Sequence, residues 1–591
     1  MSGFGQQPGY RIYAKRCASC HESGAVRIPS RTQLQGQTGS AILRALNSGV
    51  MKQQAASMSR VDRLTVSRWL GRQTSITVAA GKLSNRCRNT EIADQDNGTA
   101  SWTSWGGGLA NLRFQPADAA GLTPAAVGQL KLKWAFAAPD ATSMRSQPAV
   151  YRGRIIVGAG RLLYALDASS GCTYWATDLP AGARSGITIA SLNGKTLIFF
   201  GDPTGTVRAI DFATGRPVWH TRLDNHPTAM ITGTPVFYDG KLFVPVASYE
   251  EGAALEPKYL CCTFRGSVVA VDAATGKVLW KTYTVAKPDA SIHTNNHGAR
   301  SIGPSGVGVW SAPTVDQEKA MLYVSTGDNY SDPSTDKSDS VIALSMDSGN
   351  IVWSKQFRSG DAFNNACIGG TNPNCPDAAG SDFDFGASPI LLNLPGGQRA
   401  LILAQKSGAV FAIDPDMQGE LIWQAQIGKG GVLGGIEWGA AADSNRLYAA
   451  VSDETFLDPV REELDPNAGG GMFALQLTNG DIAWQTPAAP CDGHRPCSPA
   501  QQAAVTAIPG VVFSGSMDGH LRAYSTEDGT ILWDYNTIQD YSTVNGPPGH
   551  GGSLDVAGPV IADGMVFAIS GYDQAGAAPG NVLLAFSPGL D

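Results

Sequence analysis

Ala270-Val-Asp-Ala-Ala-Thr-Gly-Lys-Val-Leu-Trp280 is the segment that most restricts the fold, because the chain keeps returning to it. Ala165, Asp167, Gly171 and Trp175 repeat it, as do Ala209, Asp211, Thr214, Gly215 and Trp219, and Ala343, Ser345, Gly349 and Trp353. Looser copies end at Trp423, Trp484 and Trp533, and Trp134 follows the strand-like Leu130-Lys-Leu-Lys. Each copy reads as strand, tight turn, strand: an alternating run stops at Asp, Thr-Gly supplies a positive-φ turn, and a second run ends on a large aromatic. One hairpin cannot bury its own face. Further short strands, such as 154–157 and 241–245, precede the copies, so the spacing predicts four-stranded sheets arranged radially.

Tryptophans 134, 175, 219, 280, 353, 423, 484 and 533 make eight units, and the predicted fold is mainly β, an eight-bladed β-propeller. The last copy, Leu583-Leu-Ala-Phe-Ser587, has no Trp after it, whereas Trp134 has no Ala-x-Asp before it. One blade is therefore expected to be closed by both ends of the domain, which removes exposed sheet edges.

Charged residues are only 16% of the 591, and 70 glycines suit a protein full of turns. A net charge of −7 argues against nucleic acid as a partner. No apolar run reaches transmembrane length, and the start, Met-Ser-Gly-Phe, lacks a signal peptide. The ten cysteines favour an oxidising compartment, hence a periplasmic protein whose signal has been removed: Cys367/Cys375 and Cys491/Cys497 bracket short loops that look stapled. Cys87 and Cys172 are left over.

Residues 1–75 carry helical signals instead. Tyr10 and Tyr13 precede Cys17-Ala-Ser-Cys20-His21; Ser40 is placed to cap a helix with Ile42, Leu43 and Leu46; Ser59 with Asp62 resembles a capping box before a helix stopped by Gly71. Three short helices around Cys-x-x-Cys-His predict a small all-α c-type cytochrome, with two thiols for the haem vinyl groups and His21 as axial iron ligand. Met51 is the expected sixth ligand, with Met58 as rival. Residues 76–100 read as a linker, and 101–591 as the propeller.

Trp102-x-x-Trp105-Gly-Gly, Asn111-x-Arg113-Phe, Leu122-Thr-Pro and the Trp-ended repeats resemble the pyrroloquinoline quinone (PQQ) dependent alcohol dehydrogenases. An N-terminal cytochrome before such a propeller is similar to the members that oxidise polyvinyl alcohol. The resemblance implies a quinoprotein-type propeller with PQQ, calcium and haem c as cofactors. It implies Glu250 and either Asp328 or Asn329 as calcium ligands together with Asp384, which is also the implied catalytic base. Trp310 is the implied floor beneath the quinone, Lys406 the contact to its oxygens, Arg184 a partner of its carboxylates, Thr232 a hydroxyl donor to it, and Trp438 the wall that closes the pocket. Arg145 stands where related enzymes carry Glu. Neighbouring Cys261 and Cys262 resemble a vicinal disulfide that related quinoproteins place against the cofactor.

The expected activity is oxidation of secondary alcohol groups, in a polymer or in small alcohols, with electrons passing through the haem to an external cytochrome c or other respiratory acceptor. A non-enzymatic propeller scaffold is the competing class, but a scaffold has no need of a haem motif or clustered acids.

Overall fold

The computed structural model describes residues 8–23, 28–37, 39–47, 49–58, 60–71, 76–77, 83–89, 100–139, 141–288, 293–459, 462–491, 493 and 496–589. The chain's start and Ser59 lie outside them.

Eight four-stranded antiparallel units form the propeller, and the last is built from strands 560–562, 565–570 and 582–588 with strand 130–137 paired to 582–588. Both ends of the domain thus share one blade, as the incomplete first and last repeats require. In every blade the repeat Ala faces the repeat Trp across the outer strand pair, from Ala165 opposite Trp175 to Ala585 opposite Trp134. A bulge follows that pair each time and turns the indole toward the neighbouring blade.

The Trp-to-blade contact explains why Thr-Gly and Trp travel together. Asp272 Oδ1 accepts hydrogen bonds from the amide and hydroxyl of Thr275, which holds the turn. Gly276 follows at φ +74°, with the Trp219 indole of the preceding blade so close that a Cβ would sit 2.5 Å from it. The Trp219 Nε1–H donates to the Ala273 carbonyl at 3.0 Å, and Thr221 donates to the Gly276 carbonyl. Trp175, Trp280 and Trp484 repeat the same clamp of one aromatic against one bare glycine plus two hydrogen bonds, while Trp134 and Trp423 keep the glycine and the indole hydrogen bond.

The N-terminal segment contains helices Pro8–Arg16, Ala18–His21, Arg31–Gln35, Gly39–Asn47 and Arg60–Leu70, more than the three expected. Tyr13, Ile42, Leu46, Met58, Val66 and Leu70 form its core. A capping box that the sequence reading missed starts the third helix: Ser30 accepts from the Gln33 amide, and the Gln33 side chain accepts from the Ser30 amide. Ser40 lies inside a helix that begins at Gly39. Gly71 does follow the last helix directly, its amide bonded to the Ser67 carbonyl.

The expected linker is tied down where it is described. Ile76–Thr77 adds a fifth strand against Thr177–Asp178, and Cys87 is disulfide-bonded to Cys172. The disulfides Cys367–Cys375 and Cys491–Cys497 close the two short loops as expected. No helix among the described residues is long and apolar enough to cross a membrane.

Candidate active site

The site is assembled by loops that leave the ends of separate strands. Strand 321–325 runs into Thr326-Gly327-Asp328, and the 381–386 segment crosses beside it. Gly327 permits that crossing: a Cβ there would lie 2.4 Å from Asp384 Oδ2. The Asp328 amide donates to Asp384 Oδ1 at 2.7 Å, and Trp310 Nε1–H donates to Asp384 Oδ2 at 2.8 Å. Each carboxylate oxygen of Asp384 is thereby aimed by one N–H donor while keeping a lone pair free. Trp310 stands on Gly386, where a Cβ would meet the indole at 1.9 Å, and Trp438 packs edge-on against it at 5.1 Å.

Lys406 is buried and pairs with Asp382 at 2.8 Å, and its amide donates to the Asp384 carbonyl. Burial opposes its charge, but Asp382, Glu437 and Asp384 outweigh this and push its pKa above the usual lysine value. Burial raises Asp382 to about 7, helped by Asp384 and opposed by Lys406. Carboxylate oxygens of Asp328, Asp382 and Asp384 lie within 4.8 Å of one another, a hard oxygen set of the kind that holds a divalent cation.

Two of the implied calcium ligands are engaged elsewhere. Glu250 accepts hydrogen bonds from Tyr259, Thr263 and Phe264 and pairs with His226 at 3.4 Å. Burial disfavours its charge, yet His226 and these donors hold its pKa below the ordinary value. Its neighbour Glu251 is the one that senses the central acids: burial first, then Asp382 and Asp384, raise it to about 8. The alternation along Ser248-Tyr-Glu-Glu could not tell which of two adjacent acids faces inward. Asn329 spends its amide on the Ser305 carbonyl and on Thr335, so of the two alternatives only Asp328 reaches Asp384.

A cavity beside Trp310 is lined by Trp105, Arg184, Thr232 and Trp438. Arg184 Nη1 and Arg145 Nε are buried without a hydrogen-bond partner. Burial, with Arg145 next, pulls Arg184 down to about 10. Arg184 lines the aromatic cavity, and Arg145, over the Tyr572 ring and close enough to perturb Arg184, adds a second cation nearby, which suits an anionic ligand. Cys261 and Cys262 are bonded to each other, but they are buried with Phe264, Tyr330 and Ala366 and do not line this cavity. Glu437, Asp555 and Tyr572 border the same region and were not foreseen; no repeat or spacing marks them.

In the helical segment, Cys17, His21 and Met51 line a cleft of about 570 Å³ with Leu34, Ile42 and Leu46. Among the described residues, Cys17 and Cys20 are the cysteines left outside disulfides. His21 Nδ1 is 2.7 Å from the Pro29 carbonyl, so a proton on Nδ1 leaves Nε2 free to bind a metal. Met58 is packed into the core and does not line the cleft.

Eight blades around a central acid cluster are shared with the quinoprotein-type alcohol dehydrogenases, and the relatives place the chain in that class. The model described as "Glucose/ethanol/alcohol dehydrogenase, beta-propeller domain" matches residues 102–367, and "Outer membrane protein assembly factor BamB" matches 393–583. Polyvinylalcohol dehydrogenases of Pseudomonas sp and Sphingopyxis sp. (strain 113P3) are 38% and 36% identical, each over 98% of this chain and 93% of the relative. Among solved structures, the quinohemoprotein alcohol dehydrogenase ADHIIG of Pseudomonas putida HK5 superimposes with a TM-score of 0.62 at 19% identity, covering 86% of this chain and 83% of that one. The chain belongs to the polyvinyl alcohol dehydrogenase family of PQQ-type alcohol dehydrogenases, and its role is that of an oxidoreductase.

Proposed function

We propose that this chain is a periplasmic quinohaemoprotein that oxidises secondary alcohol groups, those of polyvinyl alcohol foremost, to ketones. The carrying observation is Asp384, aimed by Trp310 and the Asp328 amide beside a cavity lined by aromatic and cationic side chains. Arg184, Arg145 and Thr232 would bind the carboxylates of PQQ, and the orphaned guanidinium nitrogens fit that task. Asp328, Asp382 and Asp384 would hold calcium, and Cys17, Cys20, His21 and Met51 would hold haem c. When bound, the quinone supplies the hydride acceptor and the haem a one-electron outlet toward an external acceptor.

Asp384 is placed to take the hydroxyl proton of the alcohol, which is too weakly acidic to leave unaided. Lys406, locked to Asp382, keeps a positive charge at the edge of the site, where it stabilises negative charge developing on an oxygen. Trp310 and Trp438, packed edge to face, would supply the aromatic walls of the cavity.

Asp384→Asn is expected to keep the fold yet lower turnover of polyvinyl alcohol by a factor on the order of 10² or more. Near-normal turnover in Asp384→Asn, with a large loss in Asp382→Asn, would move the base by two residues. Activity confined to small alcohols would remove the polymer from the proposal.

A further inference from the structure

Behind the central acids lies a second group. Carboxylate oxygens of Asp328, Asp339 and Asp361 also lie within 4.8 Å of one another, and all three residues are buried, with exposures of 3%, 0% and 1%. Asp328 belongs to both sets. Neither oxygen of Asp328 or Asp339 accepts from a backbone N–H or from a residue that carries its own donor, and Asp361 Oδ1 is likewise unpartnered, so only a proton shared between the carboxyls or a bound cation compensates them. Buried carboxylates left this way cost several kcal/mol each unless something compensates them. The space is kept open by a glycine: a Cβ on Gly380 would lie 1.6 Å from Asp361 Oδ1.

Nearby cations do not balance the charge. Lys406 is committed to Asp382, and Arg358 reaches only the far oxygen of Asp361, at 3.7 Å from a half-exposed position. One divalent ion at Asp328, Asp382 and Asp384 would leave Asp339 and Asp361 uncompensated.

We infer that Asp328, Asp339 and Asp361 bind a second hard divalent cation, with Asp328 bridging it to the central ion. It rests on the proposed central site only through Asp328. An oxygen-only set of carboxylates is the ligand type that hard divalent cations such as Ca²⁺ take. The outer ion would set the position of Asp328, whose amide aims Asp384, so its role is to position the base and not to touch substrate.

The test counts ions on the whole purified protein. After chelation and dialysis against calcium chloride, native protein is expected to bind two Ca²⁺ per chain, and Asp339→Asn/Asp361→Asn one. Asn is suited to the left-handed backbone of Asp339, φ +50°. The inference is overturned if the double variant binds as many ions as native protein, whereas the central site fails if Asp384→Asn does. Should the double variant not fold, Asp361→Asn alone is titrated, and a native protein holding a single ion that Asp384→Asn removes also overturns the second site.

Discussion

At the scale of single residues, the helical cleft and the buried acids give separable predictions. Met51 lines the same cleft as His21 while Met58 is core, so Met51→Ala should abolish a low-spin methionine-ligated haem spectrum and leave the haem covalently attached. Met58→Ala should instead lower the melting temperature with the spectrum intact. Glu437 is raised to about 8, by burial first and then by Asp555, Asp382 and Asp384, with Lys406 opposing. A carboxyl whose folded pKa exceeds its unfolded value near 4.5 stabilises fully below that value, and the contribution is lost as pH rises through about 8. Calcium-free protein should therefore melt at progressively lower temperature from pH 5 to 8.5, and Glu437→Gln should flatten that slope.

The elements were more legible than the site. Strand pairs around each Trp could be read because Ala, Asp, Gly and Trp recur at fixed offsets set by local turn chemistry. Asp339 and Asp361 could not be read that way, since they meet Asp328 only after separate loops have converged. Glu250 and Glu251 show the limit well: both are buried or half-buried on one helical turn, and only tertiary packing decides that Tyr259 and His226 claim the first. The clamp itself is testable. Trp423 is buried against Gly480 and donates to the Leu477 carbonyl at 2.8 Å. Trp423→Ala should cost roughly 3–5 kcal/mol in denaturant unfolding, and Trp423→Phe, which keeps the aromatic body and loses the hydrogen bond, a smaller amount.

For the whole molecule, the shared blade means that strand pair 130–137 with 582–588 joins the two ends of the propeller sequence and closes the ring. Every other blade is made of neighbours along the chain. That pairing, with the Phe114–Ala507 bridge beside it, carries the loop-closure entropy of the domain, so it should form late and slow folding out of proportion to its length. Until it forms, strand 130–137 presents open backbone groups beside the apolar Trp134 and Phe136, a template on which a second unfinished chain can dock. The yield of native protein is thus governed by a race between the final residues reaching their own first strand and another molecule reaching it first.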